Sequence, residues 1–126
     1  MTAPETPATP ETGPTGHPAV DAALDSLQAI AAANEGPFDF VFIDADKQNN
    51  AAYVRAAVAM SRPGTTIVVD NVIREGGVLD AASGDERILG TRKLFDEVGS
   101  EPRLTATAVQ TVGVKKWDGF LIAVVD

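Results

Sequence analysis

Two short apolar runs in this 126-residue chain end in oxygen-bearing side chains. Asp44 closes FDFVFID at residues 38–44, and Asp70 with Asn71 closes TTIVVDN at residues 65–71. Two carboxylates and a carboxamide form a hard donor set. The chain has no cysteine, and its one histidine, His17, is remote from these runs in sequence. Oxygen donors without nitrogen or sulfur suit Mg²⁺, Mn²⁺ or Ca²⁺ and not zinc or copper. Two carboxylates held close together repel, and a divalent cation relieves the repulsion. Lys47 stands three residues past Asp44. Beside a cation and partly desolvated, a lysine has its pKa lowered and becomes a candidate general base. Tyr53, the only tyrosine, can stack on a ligand or pack in a core. Trp117 reads as a lid element or as packing, and Gly76-Gly77 as a substrate loop or a turn. The same residues have plainer uses. Aspartate and asparagine after strands are ordinary turn residues, Asp46 can cap a helix starting near Lys47, and Lys47 can be a solvated surface charge.

The surrounding elements decide whether these residues meet. Val20, Leu24, Leu27 and Ile30 repeat at helical spacing within residues 19–34, and Gly36-Pro37 ends that pattern. Residues 38–43 are an unbroken apolar run of strand length, which suits a strand buried on both faces. A helix is expected over residues 47–61, with Tyr53, Val54, Ala57, Val58 and Met60 on its apolar side. Arg62-Pro63-Gly64 breaks it, and a second buried strand follows at residues 65–70. Residues 72–84 read as a long loop, and residues 85–98 as a helix. Residues 104–112 alternate, Trp117-Asp118-Gly119 signals a turn, and FLIAVV completes an antiparallel hairpin. The result is an α/β fold with a parallel core and an antiparallel C-terminal hairpin. A helical crossover makes the first two strands parallel. If they are neighbours, Asp44 lies about 5 Å from Asp70 and Asn71. That places all three in the crevice beyond the strand ends, where open α/β sheets hold ligands.

Composition narrows the function classes. The net charge is −8, and residues 1–46 hold eight acids and no lysine or arginine. Such a chain lacks the basic face that nucleic acid requires. No apolar run is long enough for a membrane helix, and no secretory leader is evident, so a cytoplasmic protein is expected. Residues 1–18 are rich in proline and threonine and poor in large apolar groups. They read as a disordered tail before one domain at residues 19–126, and His17 belongs to the tail. Neither G-x-G-x-x-G nor a phosphate-binding G-x-x-x-x-G-K-[ST] occurs.

FDFVFIDADKQNNAAYV, then VVDN, then TVGVKKWDGFLIAVV together resemble one family. They are similar to the metal-dependent, S-adenosylmethionine-dependent O-methyltransferases of the caffeoyl-CoA and catechol type, over about residues 19–126. The resemblance implies a class I methyltransferase (Rossmann-like) sheet, with strand order 3-2-1-4-5-7-6. It implies a vicinal dihydroxy phenol as substrate, S-adenosylmethionine as cofactor and a divalent metal, Mg²⁺ before Mn²⁺ or Ca²⁺. Carried over by position, the metal ligands fall on Asp44, Asp70 and Asn71. Asp44, Asp46 and Tyr53 match residues on the cofactor side, and Lys47 matches a lysine that helps deprotonate the substrate.

The sequence departs from the family in two ways. Strands 1 to 3, with their glycine loop and ribose-binding acid, have no counterpart, so strands 4, 5, 7 and 6 are expected, as in the C-terminal half of a truncated enzyme. Arg74 stands where many members have tryptophan. The strand at residues 38–43 would then be an apolar edge, which favours a homodimer or a sticky chain. Neither a nucleic acid nor a membrane is expected as partner. Two alternatives remain. One is a non-catalytic half-domain or oligomerisation partner. The other is a DxD-type Mg²⁺-dependent phosphatase, although Gln48 stands where that class wants threonine or valine.

Overall fold

The computed structural model describes residues 18–114 and 116–126. The expected tail and His17 lie outside the described residues, except that Pro18 already begins the first helix. The elements run α1 (Pro18–Ala32), β1 (Phe38–Ile43), a 3-10 turn (Lys47–Asn49), α2 (Asn50–Ala59) and β2 (Ser61–Asp70). A 3-10 segment (Arg74–Leu79), α3 (Glu86–Ser100), β3 (Leu104–Val112) and β4 (Trp117–Val125) follow.

The four strands form one sheet in the order β1-β2-β4-β3. β1 and β2 are parallel, joined by the α2 crossover, while β4 runs antiparallel to both β2 and β3. This is the parallel core with an antiparallel hairpin that the hydrophobic pattern implies. The order is the one expected for strands 4, 5, 7 and 6 of the sheet that the resemblance implies.

The core lies on one side of the sheet. Alternate residues of the strands, Ile43, Ile67, Val69, Leu121, Ala123 and Val125, meet Val54, Ala57 and Val58 of α2 and Leu94 and Val98 of α3. Leu24 of α1 joins this layer. Each of the valine, leucine and isoleucine side chains contributes roughly 1.5–3 kcal/mol by leaving water. α2 and α3 are clamped by Arg55, whose Nε and Nη2 donate to the two Glu97 carboxylate oxygens at 2.9 and 3.0 Å. A paired fork of this kind sets the rotation of one helix against the other.

The opposite face corrects the expectation that both parallel strands are buried on both sides. Phe40 and Phe42 are 57% and 55% exposed, and Val124 is also exposed. Among the described residues helices cover only the other face, and the pleat sends alternate residues of β1, Phe40 and Phe42, outward. β1 also has a neighbour on one side only among the described residues.

Boundaries differ as well: Trp117-Asp118-Gly119, expected as a turn, already pairs with Gln110–Val112 and opens β4. β2 begins at Ser61 rather than Thr65, because the pairing skips from Phe38↔Ser61 to Phe40↔Thr66 across an irregularity. There the buried Thr65 hydroxyl donates to the Phe38 carbonyl at 2.6 Å and accepts from the Arg62 amide at 3.0 Å. The helix expected from residue 47 opens as a 3-10 turn and ends at Ala59.

Candidate active site at the strand ends

The β1–β2 pairing runs to Ile43↔Val69. Asp44 and Asp70 are therefore the next residues on adjacent parallel strands, about 5 Å apart along the hydrogen-bonding direction. Asn71 follows with φ 62°, in the left-handed region. Asparagine tolerates that conformation better than most side chains, which suits this residue type at a sharp exit from the strand. The Asn71 amide donates to Asp70 Oδ1 at 2.8 Å, so Asp70 Oδ2 remains for another partner.

Lys47 is not the solvated surface charge of the plainer reading. It is 8% exposed, and its Nζ donates to Asp44 Oδ1 at 2.9 Å. Gly90 of α3 makes this burial possible. A Cβ there would lie 2.7 Å from the Lys47 carbonyl oxygen and closer still to the Gln48 backbone. Only glycine lets α3 approach the turn that carries Lys47.

Asp46 occupies the N-cap position of that turn, yet its side chain makes no capping bond. Its two oxygens instead accept from the Asn49 side-chain amide and from the Tyr53 hydroxyl. Tyr53 is 5% exposed. Burial pushes its phenol well above the ordinary range, and the Asp46 hydrogen bond and charge push the same way. Tyr53 is thus a neutral donor that orients Asp46, and its part in the site runs through that carboxylate.

Beyond Asn71 the chain is held by Asp118, at the start of β4. Asp118 Oδ1 accepts from the amides of Ile73 and Arg74 at 3.0 and 2.8 Å and from Gly119 at 2.9 Å. Its Oδ2 faces Asn71 Nδ2 at 3.4 Å. The loop then passes through left-handed Glu75 and Gly76, where the Trp117 ring lies 3.1 Å from the position a Cβ would take on Gly76. The two open readings thus meet: Trp117 packs over the glycine loop.

Sequence reasoning missed Gly90 and Asp118. The signal for Gly90 was a glycine inside a helical pattern, unfavourable by roughly 1 kcal/mol unless contact requires it. For Asp118 it was the Asp-Gly pair, read as a turn and as part of the motif behind the resemblance, with no role at the site.

The structure therefore brings Asp44, Asp70, Asn71 and Lys47 to adjacent strand and turn ends, with Asp46 and Tyr53 on the flank of the same turn. Among the described residues no group of three or more His, Cys, Asp or Glu side chains is placed to hold a metal ion. The candidate donor set is two carboxylates and one carboxamide. Its all-oxygen chemistry, with Asp70 Oδ2 left free by the local hydrogen bonding, fits a hard cation. A cleft of about 470 Å³ between α2 and α3, bordered by Gln48, Asn49, Arg55, Lys93 and Asp96, is lined by none of the six, although Asn49 on its wall donates to Asp46.

The O-methyltransferase family model matches residues 17–123. The chain belongs to the O-methyltransferase family. A catechol O-methyltransferase of Mycobacterium tuberculosis is 53% identical to it over 106 residues, covering 84% of this chain and 46% of that protein. The O-methyltransferase from Bacillus cereus, solved in complex with S-adenosylhomocysteine, is 57% identical. That match has a TM-score of 0.80 and covers 82% of this chain and 47% of the other. An O-methyltransferase from Streptomyces achromogenes involved in tomaymycin synthesis, solved with S-adenosylmethionine, is 41% identical. Its TM-score is 0.78, and the match covers 82% of this chain and 46% of that one.

This O-methyltransferase chain thus spans about half the length of the curated relatives it matches. The similarity to those structures confirms the class I sheet, and family membership displaces the phosphatase alternative. No helix among the described residues is long and apolar enough to cross a membrane.

Proposed function

We propose that this chain carries the metal-binding half of an S-adenosylmethionine-dependent, divalent-cation-dependent O-methyltransferase acting on vicinal dihydroxy phenols. The observation that carries the reading is the meeting of Asp44, Asp70 and Asn71 at adjacent strand ends beside a buried lysine. Relatives named as catechol O-methyltransferases support the substrate class, and neighbours solved with S-adenosylmethionine or its product support the cofactor.

In O-methylation an oxygen forms a bond to the methyl carbon, the S–CH₃ bond breaks, and the hydroxyl proton departs. Asp44, Asp70 and Asn71 are the residues that would hold the cation. Held there, a divalent cation would supply acidification of a phenol hydroxyl and orientation of the vicinal pair. Lys47 Nζ, 2.9 Å from Asp44 Oδ1, would take up the departing proton as the neutral amine. Asp46, fixed from two sides by Asn49 and Tyr53, offers the cofactor a carboxylate of defined orientation.

Calorimetric titration with Mg²⁺ tests the donor set. Saturable binding is expected for the chain, weakened at least tenfold in Asp70→Ala, which removes two charge-bearing oxygens at the centre of the set. Equal Mg²⁺ affinity in a folded Asp70→Ala variant would remove the site.

A second reading is favoured by the bare sheet face with Phe40 and Phe42. In it the chain is a half-domain whose β1 edge, unpaired among the described residues, pairs with a second copy, and catalysis is not its role.

A further inference from the structure

We infer that Asp118 is a positioning residue that sets which way the Asn71 amide faces and thereby makes Asn71 an oxygen donor. The inference rests on the reading that Asp44, Asp70 and Asn71 hold a divalent cation. Asp118 lies past the Asp70↔Phe120 pair on β4, beyond the end of β2. Its neighbour Gly119 accepts the Val72 amide at 3.1 Å, so three consecutive loop amides, Val72 to Arg74, end on these two residues. Position 119 requires glycine, because a Cβ would run into the Val109 carbonyl oxygen and the Ile73 side chain. The loop leaving β2 is therefore docked on one point of β4.

The Asp118 carboxylate does two separate tasks. Oδ1 collects the backbone amides, whereas Oδ2 faces only the Asn71 side chain. At 3.4 Å this contact is long, but its sense is fixed, because a carboxylate offers acceptors only. Asn71 must turn Nδ2 toward Asp118. Its Oδ1 is then left free of hydrogen bonds among the described residues. A carboxamide binds a hard cation through its oxygen and not through its NH₂ group. The orientation that Asp118 imposes is thus the one in which Asn71 can be a ligand.

Asp118→Asn separates the two tasks. Its oxygen still accepts the loop amides, but an NH₂ group now confronts Asn71 Nδ2. Asn71 relieves the clash by turning its amide over, which withdraws the oxygen. Asn71→Asp has an oxygen on both sides and is indifferent to that turn. The experiment is Mn²⁺ binding by the full chain, followed through the spin resonance of free Mn²⁺, in a cycle of the parent, Asp118→Asn, Asn71→Asp and the double variant. Urea midpoints are measured alongside.

The expected result is at least tenfold weaker Mn²⁺ binding in Asp118→Asn with little change in urea midpoint. In the Asn71→Asp background the same change should cost less than threefold. Unaltered binding in Asp118→Asn, or an equal loss in both backgrounds, overturns the inference. Absence of Mn²⁺ binding by the folded parent chain overturns the donor-set reading instead, and the inference falls with it.

Discussion

Burial, the hydrogen bond to Asp46 and the Asp46 charge all push the Tyr53 phenol above its ordinary value of 10.0. A group whose folded pKa is raised contributes stability that is complete below its unfolded pKa and is lost at higher pH. The urea midpoint of the chain is therefore expected to fall above about pH 10, and Tyr53→Phe to flatten that fall. At neutral pH the same substitution removes one hydrogen bond to a carboxylate and should cost about 1.5 kcal/mol. A pH dependence identical in both proteins would show that the phenol does not report on Asp46. Asp44, Asp70 and Asn71 were legible in the sequence because a buried strand has a definite end and the residue after it has a definite place. The partner of Tyr53 was not, because it depends on the 3-10 turn that swings Asp46 round toward α2. Asp118 was hidden for a different reason. Asp-Gly reads locally as a turn, while its loop donors come from 44 to 47 residues away in sequence.

At the scale of elements, the site depends on how closely α3 approaches the turn at Lys47–Asn49. Gly90 lies against backbone there, so no side-chain rotation can relieve an added methyl group. Gly90→Ala should destabilise the chain by about 2 kcal/mol, despite alanine's better helix propensity. Equilibrium urea unfolding measures this, and a neutral or stabilised Gly90→Ala would show that α3 and the turn can move apart freely. The order of helices and strands was legible because each apolar pattern has its own period. The start of β2 was not, since Arg62-Pro63-Gly64 carries breaker residues and pairs through Ser61 only by way of an irregular register. One-sided burial was not legible either. An unbroken apolar run such as residues 38–43 looks the same whether one face or two are covered, and the cover is contributed by distant segments.

At the scale of the whole molecule, the described residues leave one edge of β1 unpaired and, beside it, a sheet face with Phe40 and Phe42 more than half exposed. Unpaired edges and contiguous apolar surface drive association. The chain is expected to self-associate in light scattering at micromolar concentration, and Phe40→Glu with Phe42→Glu to shift it toward monomer. A parent chain that is already a clean monomer would contradict this and disfavour the second reading. The chain also matches relatives about twice its length, so its chemistry is best tested in their frame. Residues 17–126 can replace the matching segment of the Mycobacterium tuberculosis catechol O-methyltransferase, and methyl transfer from S-adenosylmethionine to catechol can be measured with and without Mg²⁺. The expected result is Mg²⁺-dependent methylation, reduced about 100-fold or more by Asp70→Ala and by Lys47→Met. A folded chimera that binds S-adenosylmethionine and yet transfers no methyl group, or transfers it equally well without Asp70, would contradict the assignment of this half as the carrier of the catalytic site.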